Sequence, residues 1–392
     1  MIRKLVAGLI AGVYVSALAA LPANAQPAPP ACPVWSPNLV TQSFPVGGPT
    51  VTTWHVCWHE VAGNDSLANP NGLVIGPVDF QTSPGAPWRR VIYDMRISDF
   101  FVPYHQGFPR FYDLSGFNFK LTTVTAADCP AAVGGTLLST TVCKEVHDRG
   151  LLWKDYSGVK RGQELVLWGC LYAGNYRYVE RFVFRDDGAI IGMEGATGQN
   201  YPPYPHEPHT HDALWRIDID NGTPVNDTAL LQHIEDQTNP AGTATDPMTM
   251  IMKAQGLAWN AQTHDMISVT DPFTTNKQGH HPSYHFIPLV DGGGMTRHYE
   301  DFSHFDFWIT PYNPNQMAAR YVASQYVPNA PPVGPHRDVV VWLKGSLHHH
   351  PRDEDGITIN GSWKGTALVM YTGFMMMPDA VFDCSPFYGP CS

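Results

Sequence analysis

His209 and His211, together with the run His348-His349-His350, are the residues of this chain best suited to holding a metal ion. On a β-strand the side chains of i and i+2 share a face, so His209 and His211 can direct both imidazoles at one ion. The residues that follow, Asp212–Ile219, read as strand and support that geometry. His206 lies three residues earlier in a Pro-rich loop and reads as peripheral or solvent-exposed. The run of three does not act as a unit, because alternation turns its middle member to the opposite face from the other two. Imidazoles without a thiolate or thioether fit Cu(II), or a catalytic Zn(II) with an open position. A zinc hydrolase asks for a glutamate close to the His-x-His pair, and only Glu207 is near. Upstream, Leu171–Tyr178 places an oxidisable phenol, Tyr176, directly after Asn175.

The elements that must position these groups read as strands. Arg90–Met95, Glu164–Trp168, Tyr178–Phe184, Ala189–Glu194, Ala213–Ile219, Ser283–Val290, Phe305–Thr310, Val339–Leu343 and Thr366–Tyr371 are rich in β-branched and aromatic residues, mostly bounded by Gly, Pro, Asn or Asp. Asp186-Asp187-Gly188 between two such runs predicts a hairpin. Thr228–Asp236 is the one candidate short helix. The pattern predicts a mainly β protein, a large antiparallel β-sandwich with long loops. Only 15% of residues are charged, 12% are aromatic, and Gly and Pro number 35 each, a mix that excludes a disordered chain. The net charge of −11 argues against nucleic acid or an anionic membrane as partner and suits a cationic small molecule.

Met1–Lys4 is basic, Leu5–Leu21 is apolar, and Ala23-Asn24-Ala25 is a small-x-small site. This reads as a secretory signal peptide over residues 1–25, cleaved after Ala25, with one domain over residues 26–392 and a secreted or periplasmic location. Seven cysteines in an exported chain predict disulfides with one thiol left over. Pairing by proximity leaves Cys170, in an apolar strand, as a buried and inert thiol.

Asn175-Tyr176, the stretch His209–Asp218, Phe305-Asp306-Phe307-Trp308-Ile309-Thr310-Pro311-Tyr312 and His349-His350-Pro351-Arg352-Asp353-Glu354-Asp355 fall in one order along the chain. Together they resemble the motifs of the copper amine oxidases, over roughly Gly72 to Phe382. The resemblance implies a copper(II) ion held by His209, His211 and His349, the last anchored by Pro351. It implies that Tyr176 is oxidised in place to topaquinone, with Asn175 holding the ring. Phe101-Val102-Pro103-Tyr104 resembles the segment whose tyrosine bonds the cofactor, and Arg110–Gly116 the segment whose aspartate, here Asp113, is the catalytic base. Cys129 and Cys143 resemble the family's disulfide loop. Asp218 and Asp338, with the carbonyls of Ile219 and Val339, fall where the family places a second, calcium-type ion. The implied reaction takes a primary amine, O2 and water to an aldehyde, ammonia and hydrogen peroxide, in a homodimer. Pocket walls are expected from loops such as Pro202–Pro208 and Gly279–His281, which leave the amine unspecified.

Two positions depart from the pattern. Arg177 replaces the acidic residue after the quinone tyrosine, and Tyr172 replaces a threonine. Glu180 or Asp113 is the expected partner of Arg177, and a pairing with Asp113 would lower the pKa of that base. The competing readings are a copper-binding relative in which Tyr176 stays unmodified and, from another class, a zinc metalloenzyme on the same histidines.

Overall fold

The computed structural model describes residues 28–45, 51–63, 65, 67–105, 107–156, 158–223, 225, 227–233, 248–260, 265–289, 298–352, 358–359, 362–363 and 369–387. The leader-like segment 1–25 and Cys391 lie outside the described residues. Two large antiparallel sheets pack face to face. The first runs, edge to edge, through Asn38–Phe44, Thr52–Val61, Gly72–Gln81, Arg89–Pro103, His209–Ile219, Val339–His349, Phe307–Pro311 and Gln255–Leu257. The second places Tyr176–Arg185 between Gly158–Ala173 and Ile190–Gly198, with Met370–Asp379 next in order.

Why this chain folds so is plainest in Tyr176–Arg185. Tyr176, Tyr178, Glu180, Phe182 and Phe184 are buried, while Arg177, Val179 and Arg181 on the other face are only partly so. This period of two turns one apolar row into the sandwich. The row meets the opposite sheet through aromatic contacts: Tyr178 stacks on Phe100 at 4.2 Å, and Phe184 lies 5.4 Å from Trp54. Trp215 and Phe374 close the far end at 5.4 Å. The central strand His209–Ile219 is buried on both faces along its whole length, and its buried Arg216 is paired with Asp218 at 3.4 Å.

The predicted hairpin forms. Gly188 takes φ 86°, its N–H donates to the Arg185 carbonyl at 3.0 Å, and the flanking strands pair from Phe184–Ile190 outward. The predicted helix at Thr228–Asp236 does not form. Thr228–Gln232 is a strand, paired on one side with Met266–Thr270 and on the other with Met248–Met250, and Asp236 lies outside the described residues. An isolated helix of that length is marginal in water, so two ladders of strand hydrogen bonds decide the outcome.

Disulfides join Cys32 to Cys57 and Cys129 to Cys143. Cys170 carries no disulfide, and burial pushes its thiol up to about 11, which makes it a poor nucleophile.

Candidate metal centre and active site

Register brings the three histidines together. His209 and His211 share a face of their strand, and His349 stands directly opposite His209 in the antiparallel pairing of His209–Ile219 with Val339–His349. Directly opposed residues point to the same side of a sheet, so all three imidazoles enter the space between the sheets. Their ligand nitrogens lie within 4.8 Å of one another, and His209 Nε2 is 3.0 Å from His211 Nε2. Tyr176 faces them from the second sheet. Its hydroxyl is 2.9 Å from His209 Nε2 and 2.5 Å from His349 Nδ1.

Each ring is oriented by a neighbour. His209 Nδ1 donates to the Glu207 carbonyl at 3.2 Å, which leaves Nε2 to present its lone pair inward. Tyr104 stacks on the same ring at 4.2 Å and 9°. The Tyr178 hydroxyl donates to Asp113 Oδ2 at 2.6 Å, so it must accept from His211 Nδ1 at 3.0 Å, and His211 Nε2 is the lone-pair nitrogen. Burial lowers the pKa of His209 to about 3 and holds that of His211 well below its ordinary value, with the neighbouring imidazoles as the next cause. The neutral form is the one that binds metal. Two neutral imidazoles of fixed tautomer and a third buried one converging on the same space therefore fit a Cu(II) ion.

Asp113 follows the short strand Arg110–Tyr112, and its N–H donates to the Phe100 carbonyl at 2.8 Å. Asp99 clamps the turn by accepting from the backbone N–H groups of Leu114 and Ser115, both at 3.2 Å. Burial raises the Asp113 carboxyl to about 7, against the lowering effect of the Tyr178 hydrogen bond. Tyr104, Asp113, Asn175 and Tyr176 all line one cavity of ≈ 130 Å³. Val102, Phe111, Phe117, Phe119 and Tyr201 supply most of its wall; neither 202–208 nor 279–281 contributes, which corrects the expectation for those loops. Asn175 Nδ2 donates to the Gln199 carbonyl at 2.5 Å and ties down the turn before Tyr176. His206 is exposed.

Arg177 pairs with neither Glu180 nor Asp113. It sits on the outward face of its strand, its guanidinium 4.1 Å from the centroid of the Tyr172 ring, and donates to the Tyr176 and Gly174 carbonyls at 2.8 and 3.1 Å. Arg177 and Tyr172 are register partners, so the two departures from the pattern stack on each other outside the site. Glu180 is buried within the inward row of the same strand and accepts from the Leu73 N–H at 2.7 Å.

At the other end of the same strands Asp218, Asp220 and Asp338 form a second group of converging carboxylates. Oδ1 of each is buried with no hydrogen-bond partner among the described residues, and Ile219 stands opposite Val339 in register. Burial raises Asp218 well above its ordinary value, Asp220 to about 7 and Asp338 to about 6. Orphaned hard oxygens of this kind fit a Ca(II)-type ion. Two functional candidates, Asp220 and Tyr178, escape the sequence reading. Both were accessible by the alternation that pairs His209 with His211, since Asp218/Asp220 and Tyr176/Tyr178 are likewise two apart.

Comparison with known proteins agrees with this geometry. Residues 135–388 match the model of the copper amine oxidase enzyme domain. Copper amine oxidase 1 of Aspergillus niger is 24% identical over 332 residues, 68% of this chain and 50% of its own. Histamine oxidase of Arthrobacter globiformis is 24% identical over 300 residues, 62% and 41% of the two chains. The crystal structure of the copper-containing benzylamine oxidase of Hansenula polymorpha superposes with TM-score 0.62 and 18% identity, over 86% of this chain and 60% of that one. The lysyl oxidase of Pichia pastoris gives 0.63 and 17%, over 86% and 53%. The chain spans about half the length of the curated relatives it matches. By family, then, this chain is a copper amine oxidase enzyme domain.

Proposed function

We propose that the protein is an exported copper- and topaquinone-dependent primary amine oxidase, working as a homodimer, with Tyr176 the quinone precursor. The observation that supports this best is the Tyr176 hydroxyl within hydrogen-bond distance of two of three converging histidines, in the same cavity as a carboxyl poised near neutrality. His209, His211 and His349 would hold the copper. With O2, the copper–quinone pair supplies the two-electron oxidation that the amino acids cannot, returning the electrons of the amine as hydrogen peroxide.

The chain's own residues do the rest. Asp113 takes the proton from the carbon next to nitrogen; burial lifts it to about 7, where a carboxylate is both ionised in part and basic enough to act. Tyr178 steadies the ionised form by donating to Oδ2. Tyr104 fixes the His209 ring, Asn175 ties down the turn before Tyr176, and the aromatic wall keeps water out. That wall favours an amine with a flat apolar tail. A polyamine would strip water from a second ammonium there without a counter-charge. Asp218, Asp220 and Asp338 would hold a calcium ion with the Ile219 and Val339 carbonyls.

Metal-free protein given Cu(II) in air tests the reading. A visible quinone band and reaction with phenylhydrazine are expected, both lost in Tyr176→Phe while copper stays bound. Stoichiometric copper with no band in the parent protein would overturn it and leave a copper-binding relative with an unmodified tyrosine.

A further inference from the structure

The other two members of the histidine run are not idle. His348 stands opposite Thr210 in register, so alternation turns it away from His349 and out of the sandwich. There it meets His105, the residue after the Tyr104 that stacks on His209. His105 is exposed, and its N–H donates to the Pro208 carbonyl at 3.1 Å, which ties it to the segment leading into His209. The Nε2 atoms of His105 and His348 are 2.7 Å apart, with ring centroids at 4.5 Å and 18° between planes. The His350 ring lies 3.9 Å from that of His348, edge to face.

Two imidazoles thus face each other at the surface with a third beside one of them, each one residue removed in sequence from a group of the buried centre. An imidazole nitrogen binds a first-row divalent ion at roughly 2.0–2.1 Å, so two of them at right angles on one ion stand about 2.9 Å apart. The buried pair His209–His211 shows 3.0 Å and the outer pair 2.7 Å, the same spacing within a few tenths of an ångström. A surface pair of histidines with no metal to share is usually spread by hydration and side-chain entropy. Here the two rings come from separate elements, 243 residues apart, and direct the same nitrogen at one point.

We propose that the pair His105 and His348, with His350 beside it, forms a second, solvent-facing two-histidine site for a divalent transition ion that prefers imidazole, Cu(II) foremost and Zn(II) or Ni(II) after it. Its open side makes it a weaker and faster-exchanging site than the buried one. The inference does not depend on quinone formation.

Equilibrium dialysis of the full chain against Cu(II), read with electron paramagnetic resonance, tests it. The parent protein should bind two equivalents with distinct signals, and brief EDTA treatment should remove one. His105→Ala/His348→Ala should bind one and keep its circular dichroism spectrum; His105→Asn alone, in an exposed turn, should weaken the outer equivalent at least tenfold. His209→Ala/His211→Ala should lose the buried equivalent and retain the outer one. A parent protein that binds only one equivalent, or a His105→Ala/His348→Ala variant that still binds two, overturns the proposal. Either result leaves the visible quinone band, and with it the amine oxidase reading, separately measurable.

Discussion

Tyr178 is the side chain on which the chemistry of metal and base meet. Its single proton goes to Asp113, and its oxygen receives that of His211, so one phenol sets both the tautomer of a proposed metal ligand and the acidity of the proposed base. Removing the hydroxyl in Tyr178→Phe should cost about 10–100-fold in amine turnover, the range seen when the partner of a ligand or a base is lost. The acid limb of the kcat/KM profile should also move to higher pH, because the donor that lowers the Asp113 pKa is gone; copper content measured alongside should stay near one equivalent at the buried site. In the parent protein that limb should fall near pH 7, with activity rising as Asp113 ionises. Asp113→Asn should lose about 10²–10⁴ in kcat/KM and keep the quinone band. Arg177→Ala, by contrast, should leave stability within about 0.5 kcal/mol and the profile unmoved, since its charge is spent on Tyr172 and two backbone carbonyls outside the cavity.

At the scale of elements, strand alternation decides which substitutions matter. Gly72 has φ 138°, and a Cβ there would stand 2.5 Å from Glu180 Oε1. Gly72→Ala should therefore cost about 2–3 kcal/mol in a denaturant titration, through strain and displacement of a buried carboxyl. Strand runs, the Asp186–Gly188 hairpin and the placing of His209 with His211 were legible in the sequence, because a period of two is a local property. Three features were not. That Arg177 faces outward follows from the phase of one strand against the other sheet. That Phe111, Phe117 and Phe119 wall the cavity follows from where a loop returns. That Thr228–Gln232 pairs on both sides follows from partners remote in sequence. Each is set by long-range packing, which overrides local propensity. His349 became a candidate through the resemblance at Pro351, and the pairing with His209 supplies the physical reason.

Across the whole molecule, two strands carry both metal candidates. His209–Ile219 holds histidines at its start and Asp218 at its end, and Val339–His349 runs from beside Asp338 to His349. Nine residues of strand span about 30 Å, so an ion taken up or lost at the carboxylate group should act on stability without touching the histidine group. Asp220, raised to about 7, keeps a proton in the folded protein that the unfolded chain releases near 4. Its contribution is complete below pH 4 and lost as pH rises through 7. EGTA-treated protein should thus lose melting temperature between pH 5 and 8, and the gain on adding Ca(II) should be larger at pH 8 than at pH 5; Asp218→Asn should abolish that gain. The last consequence concerns time. Tyr176 and His349 are 173 residues apart, and they meet only when the central pairing closes. A growing polypeptide presents the third imidazole 173 residues after the phenol, and non-local pairing of this kind is slow. On the proposed reading, maturation of the tyrosine would be a checkpoint: colour would develop only in molecules that have finished folding, and its appearance after refolding would clock the last step of assembly.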